Sequence, residues 1–221
     1  MGYYALKFLF THILHKEWAA EYLPTPKVAK TLPLVLAKEE VSDVLQAIPN
    51  FKHRVVIMFM YSTGTRVSEC VNVKLTDIDS KRMQVNICEG KGYKQRYVPL
   101  SPLLLKTLRK YFRMYTPKHY LFEGAGGAGT HLGVSAVREI CRKARYETRH
   151  IKKRYTPHTF RHCFATHLLE QGTNLLVIQR LMGHSDLTNT LKYLHVQQLD
   201  NKQVLNPLDN LDNIDTLCNK K

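Results

Sequence analysis

Thr156-Pro157-His158-Thr159-Phe160-Arg161-His162-Cys163-Phe164-Ala165-Thr166-His167-Leu168-Leu169-Glu170, followed closely by Gly172, reads as one helix with its chemistry at the front. Thr156 stands at the N-cap and Pro157 at the first helical position, where a missing N–H costs nothing. Phe160, Phe164 and Leu168 recur every fourth residue and mark a buried face. His158 and Arg161 lie three apart, hence on one side of the helix. A guanidinium donates in a fork and stays charged, while an imidazole donates or exchanges a proton near neutral pH. Together they suit a phosphate oxygen. The plainer alternative is an ordinary amphipathic helix with a surface Arg and a satisfied His, and the pair alone does not choose between them.

Downstream, Asn174 caps a short helix that ends at Gly183. His184 follows this stop, which places it at an exposed corner. Ser185 or Asp186 opens a last short helix, on which Leu187, Leu191 and Leu194 form the expected apolar stripe. At 100° per residue Tyr193 falls well off that stripe. It is therefore expected to turn away from the core, where its hydroxyl can serve as a nucleophile. From Gln197 the tail is polar and acidic, with Leu205, Leu208, Leu211 and Ile214 interspersed. It reads either as a docking segment or as a solvated end.

Upstream, Gly64-Thr65-Arg66-Val67-Ser68-Glu69 sets an arginine just after a glycine break and at a helix start, a position whose backbone N–H groups favour an anion. Glu69, three residues on, is placed to hold Arg66. Before this break, Val55 to Tyr61 reads as a buried helix, and Lys38-Glu39-Glu40 opens another. Met83, Val85 and Ile87 alternate with polar residues, Gly90-Lys91-Gly92 makes a turn, and Arg96 to Leu100 returns, so residues 83–100 read as a β-hairpin. An ammonium at that tip, flanked by glycines, can approach a backbone closely and protonate a leaving alkoxide. Helical spacing recurs at Leu103, Leu104, Leu108, Tyr111 and Phe112, and again at Val134, Val137, Ile140, Cys141 and Ala144. Residues 3–18 form a helix with Tyr3, Leu6, Phe10, Ile13 and Leu14 on one side and no obvious partner in its own segment. Prolines and lysines then mark residues 21–33 as a basic linker.

The 221 residues carry a formal charge of +15. Such an excess points to a polyanion, nucleic acid first, rather than to a small neutral substrate. The longest apolar run, Val55–Tyr61, is far below the ~20 residues a spanning helix needs. Five dispersed cysteines with no C-x-x-C pair fit reduced thiols and a cytoplasmic setting.

The run from His158 to Glu170, Leu-Met-Gly-His184-Ser-Asp-Leu-Thr-Asn-Thr-Leu-Lys-Tyr193, Gly-Thr-Arg66-Val-Ser-Glu69 and the hairpin Lys91 together resemble the tyrosine recombinase, or phage integrase, family, nearest its Xer-like and integron-integrase-like branch. The likeness covers about residues 33–196. It implies a mainly α catalytic domain with a small antiparallel sheet, over residues 34–196. It implies that the chain is a site-specific DNA recombinase with no metal, ATP or other cofactor, acting on double-stranded DNA as a homotetramer on two duplexes. By that resemblance Tyr193 attacks the scissile phosphate and forms a 3′-phosphotyrosyl ester. Arg66 and Arg161 stabilise the transition state, His158 assists proton transfer and His184 bonds the phosphate. Lys91 protonates the 5′ oxygen, and Glu69 supports Arg66. Lys94, Arg96 and Thr156 are expected to contact DNA. Residues 1–20 correspond to the last helix of the family's core-binding domain and residues 197–221 to a partner-docking tail. With only that helix of the clamp, autonomous recombination is affected more than the chemistry. A nucleoid-associated bacterial location follows from the same likeness.

Three rivals stand beside this reading. His158 and His162, with His167 on the same helix, have the spacing of a zinc pair, but no acidic or cysteine partner lies at zinc-finger spacing. A type IB topoisomerase uses the same phosphotyrosine chemistry. A catalytically idle DNA-binding remnant of a mobile element shares the fold and the charge.

Overall fold

The computed structural model describes residues 2–16, 18, 32–88, 95–127 and 129–194. The chain divides into two compact units, Met1–Leu32 and Pro33–Lys221. In the first, the expected single helix is a short α1 (Gly2–Phe8) continued by a π-helical turn, Leu9–Ile13, and His15 has a positive φ of 49°. Two residues of the apolar stripe find a partner in their own segment, while Leu6, Ile13 and Leu14 stay exposed. Trp18 packs edge-on against Tyr3 and Phe10 and donates its indole N–H to the Tyr3 hydroxyl at 3.3 Å.

The second unit is built around α3 (Phe51–Thr63). Asn50 caps this helix by accepting the His53 N–H, and Gly64 ends it in the left-handed region. Its apolar residues run nearly all round, so it is buried by neighbours on several sides: α2 (Lys38–Gln46), α4 (Val67–Asn72), α5 (Pro102–Tyr115), α6 (Val134–Glu147) and α7 (Pro157–Glu170) all pack on it. Val55, Val56, Ile57, Phe59 and Met60 are fully buried, each contributing roughly 1.5–3 kcal/mol.

Helix α5 starts at Ser101, whose Oγ accepts the Leu104 N–H, and buries Leu104, Leu108 and Tyr111. Leu103 and Phe112, expected on the same face, are instead exposed. Helix α7 is buried on most of its surface, more than a three-residue stripe implies. At its start the hydrogen bond runs from the Thr156 N–H to Thr159 Oγ1. Beyond α7 come α8 (Leu175–Met182), capped by Asn174 and stopped by a left-handed Gly183, and α9 (Thr188–Leu191).

The hairpin is one part of a three-stranded antiparallel sheet in the order β1 (Ile78–Asp79), β2 (Gln84–Cys88), β3 (Gln95–Pro99). Val85 pairs with Val98 and Ile87 with Arg96. Val85, Ile87 and Val98 face the core, as the alternation requires. A 3-10 turn at Leu75–Asp77 leads into β1. Fold class and sheet thus match the expectation, with β1 added. Residues 90–94, the hairpin tip, and the tail from 197 lie outside the described residues, as does most of the linker. Among the described residues no helix is long and apolar enough to cross a membrane.

Candidate active site

The site grows from one buried carboxylate. The break at Gly64 restarts the chain as α4, and the first turn of α4 presents Glu69 to the interior, where its side chain is only 3% exposed. Glu69 Oε2 accepts the Arg66 backbone N–H at 2.7 Å and Oε1 accepts Arg66 Nη1 at 2.8 Å. Arg96, from β3, grips the same carboxylate with Nη1 at 3.0 Å and Nη2 at 2.7 Å. Arg161 Nη1 stands 3.6 Å from Oε2. Burial pushes the Glu69 pKa up, but the hydrogen bonds and charge of Arg96, with Arg66 and Arg161, outweigh it and hold the group ionised. The expected Arg66–Glu69 pair is therefore the edge of a larger cluster that spans three separate elements.

Arg161 is itself buried, and two helix ends hold it. Nη1 donates to the Gly64 carbonyl at 2.7 Å and Nη2 to the Met182 carbonyl at 2.5 Å. These oxygens close α3 and α8, where the helix dipole is negative, so they offset part of the cost of burying the cation. Burial lowers the Arg161 pKa to about 10, and Glu69 opposes the shift, so the guanidinium stays charged at neutral pH. Gly64 is required twice over. Its φ is +62°, and a Cβ there would lie 2.3 Å from Phe164 Cδ1.

Around the arginines stand the histidines. His158 stands on the first turn of α7 with one side open to solvent, and partial burial of its other side, then the charges of Arg161, Arg138 and Arg66, lower its pKa. His184 is half-buried rather than at an exposed corner. Its Nδ1 bonds Thr190 Oγ1 at 2.9 Å, and burial with Arg161, Lys192, Arg66 and Arg96 nearby brings its pKa to about 4. His158, Arg161, His184 and Arg66 thus share one electrostatic neighbourhood. His167, by contrast, is structural: Tyr61 Oη donates to its Nδ1 at 2.8 Å, and its Nε2 donates to the Leu36 carbonyl at 3.0 Å.

Tyr193 corrects the sequence expectation. It is fully buried, packed with Phe164, Ala165, Leu169, Ile178 and Met182 in a small second cluster. The 100° rule misplaced it because α9 stops at Leu191 and Tyr193 lies in the turn beyond. Thr190 and Tyr193 take the inner positions, while Leu191 and Leu194 are exposed. The phenol hydroxyl bonds His162 Nδ1 at 3.0 Å, and Lys192 Nζ lies 5.3 Å from the ring centre. Burial raises the Tyr193 pKa to about 12, with Arg161 pulling the other way.

The expected DNA contacts fare unevenly. Arg96 has its guanidinium turned inward, with both terminal nitrogens on Glu69 and Nε on the Leu181 carbonyl at 2.8 Å. Sequence shows a cation but not its partner. Thr156 is exposed at the mouth of α7, on a cleft of about 290 Å³ lined also by Arg138, Arg145 and His158. Lys91 and Lys94 lie outside the described residues. In the sequence His162 stands out only as half of a zinc pair, and its position one residue after Arg161 gives no other signal.

The profile of the phage integrase family matches residues 35–199. The chain belongs to that family. The protein y4qK of Sinorhizobium fredii is 45% identical over 193 residues, covering 87% of this chain and 62% of that protein. Tyrosine recombinase XerA of Pyrococcus furiosus is 36% identical over 203 residues, covering 88% of this chain and 68% of that protein. Among solved structures, the XerH site-specific recombinase bound to palindromic difH substrate in a post-cleavage complex superposes with a TM-score of 0.71. It is 24% identical and shares the fold over 88% of this chain and 62% of that one. The chain thus spans about two thirds of the length of these relatives.

Proposed function

We propose that this chain carries the strand-cleaving domain of a tyrosine-type site-specific DNA recombinase, working through a 3′-phosphotyrosyl ester. The observation that carries the reading is the convergence of Arg66 and Arg161 on Glu69, from α4 and α7, with His158 and His184 beside them. Arg66, bonded to Glu69, and Arg161, held by the Gly64 and Met182 carbonyls with Glu69 as a nearby counterion, form a cradle for a phosphodiester, and preorganised cations of this kind stabilise the charge of a pentavalent phosphorus. Tyr193 Oη then forms the bond to phosphorus as the P–O5′ bond breaks, and Lys91 supplies the proton that the 5′ oxygen needs. One phosphodiester is exchanged for another, so the step needs no ATP. The +15 charge and the DNA-bound relative support duplex DNA as the partner. Residues 34–196 are taken as the catalytic domain, flanked by the helical N-terminal segment and a tail that docks on a neighbouring copy in a tetramer.

The buried phenol must be uncovered before it can attack. Exposing a tyrosine of about 150–250 Å² costs roughly 4–6 kcal/mol at most. Tyr193 sits on a satellite cluster at the end of the described chain, so a local opening can release it without unfolding α3 or α7. The same burial favours one alternative, a chain that binds DNA but does not cut it. A nicked suicide duplex, with its sequence selected from a random pool by binding to the full chain, separates the two. Wild type should trap a covalent protein–DNA adduct, and Tyr193→Phe should bind DNA and trap none. An adduct from the Phe variant refutes Tyr193 as nucleophile. Binding without any wild-type adduct establishes the idle alternative.

A further inference from the structure

We propose that His162 is the base that takes the phenol proton from Tyr193 during cleavage and returns it during rejoining. The inference rests on the reading of Tyr193 as the nucleophile. His158 is the imidazole that the family resemblance offers for proton transfer, but the hydroxyl of Tyr193 is on His162. Its oxygen stands 3.0 Å from His162 Nδ1, inside hydrogen-bond reach. The rings are close as well, with centroids 5.8 Å apart. His162 and His158 are one helical turn apart on α7, and Arg161 lies between them in the chain. One helix therefore delivers both the transition-state cation and the partner of the nucleophile.

For this role neutral His162 carries its proton on Nε2, which leaves Nδ1 to accept from the phenol. The charged or titratable groups around it are His158 and Arg161 from α7, and Lys192 and Tyr193 from the segment after α9. Burial first, then Lys192, His158 and Arg161, brings its pKa to about 4, so in the free chain it is an acceptor. A phosphodiester arriving at Arg161 brings a negative charge into this cationic surround. That charge opposes the field of Arg161 and Lys192 and raises the basicity of His162 at the moment a base is needed.

The step balances. The Oη–P bond forms, the P–O5′ bond breaks, the phenol proton passes to His162 Nδ1, and the 5′ oxygen takes a proton from the leaving-group acid. On rejoining, a DNA 5′ hydroxyl attacks phosphorus and gives its proton to that acid's conjugate base. The departing phenolate recovers its proton from the His162 imidazolium. No oxidant, metal or nucleotide enters.

The test is single-turnover cleavage by the full chain of the binding-selected suicide duplex, made with oxygen or sulfur as the 5′ bridging atom. A thiolate leaves without an acid, so the sulfur duplex relieves a defect on the leaving-group side and leaves one on the nucleophile side. His162→Phe, which removes the acceptor, and His162→Gln, which can accept a hydrogen bond but cannot take a proton, should each cut about a hundredfold or more slower. Sulfur should not restore either, whereas it should restore Lys91→Ala. Rate against pH should lose its acid limb in both His162 variants. In the free wild-type chain, ring ¹⁵N shifts should show the Nε2–H tautomer.

Wild-type rates in His162→Gln, or full rescue of His162→Phe by sulfur, overturn the proposal while leaving Tyr193 as nucleophile. So does the Nδ1–H tautomer. If His162→Phe fails to bind DNA, the Gln variant and the tautomer decide. Absence of any adduct from wild type removes the proposed function, and this inference with it.

Discussion

Replacing Glu69 by Gln keeps the shape of the side chain and removes its charge. The carboxylate is buried and takes hydrogen bonds from the Arg66 backbone, the Arg66 side chain and both terminal nitrogens of Arg96, with Arg161 3.6 Å away. Neutralising it leaves three cations facing one another without a counterion. Breaking a buried pair from one side costs about 3–5 kcal/mol. For a unit of this size that lowers the melting temperature by about 6–20 °C. Urea unfolding at pH 7 measures the loss directly. The pH dependence gives a second arm. The folded-state pKa of Glu69 lies below its ordinary value, so its stabilisation is complete above about pH 4.5 and is lost as pH falls through the folded pKa. Parent and variant should therefore converge in acid and diverge above it. Added sulfate should stabilise the variant more than the parent, because an anion can replace the missing charge. A loss below about 1 kcal/mol at pH 7, or no sulfate difference, would refute the claim that one carboxylate balances the charge of the three arginines.

Three further outcomes follow from the same geometry. Gly64→Ala forces a Cβ to 2.3 Å from Phe164 Cδ1 at a positive φ, and should cost more than about 2 kcal/mol in urea unfolding while slowing adduct formation through the displaced Gly64 carbonyl. Arg96→Lys loses the fork on Glu69 and the bond to Leu181, and should cost about 1.5–3 kcal/mol with little change in the salt dependence of DNA binding. A salt slope clearly flatter than the parent's would instead make Arg96 a phosphate contact. His53, His158, His162, His167 and His184 all have folded pKa values below the ordinary histidine value. Each contributes stability that is present above about pH 6.5 and lost as pH falls. Melting temperature should therefore decline steadily from pH 7 to pH 4, and a flat profile would contradict these lowered pKa values.

What sequence showed and what it hid divide along a physical line. Local rules were legible. Gly64 ends α3 and frees Arg66 to start α4; Val85 and Ile87 alternate into the core; Asn174 and Gly183 bracket α8. Arg66 and Glu69 are three residues apart, and their pairing needs only a helix. The rest of the cluster depends on tertiary distance. Arg96 reaches Glu69 across 27 residues and Arg161 reaches Gly64 across 97, and no periodicity reports such meetings. Arg96 looked like a DNA contact because a cation in a hairpin reads the same whether it faces solvent or a buried acid. Tyr193 was misplaced for a different reason. The angular rule assumes a continuing helix, and the turn after Leu191 rotates the ring inward.

The two carbonyls that hold Arg161 belong to the final turns of α3 and α8, helices far apart in the chain. The guanidinium is aimed only while both helix ends are seated. A nascent or partly frayed chain with α8 adrift still carries its positive surface and can cling to DNA, yet lacks the aligned fork that scission requires. On the proposed chemistry, cutting is thereby reserved for a chain whose architecture is finished, a safeguard against breaks that no one is in place to reseal.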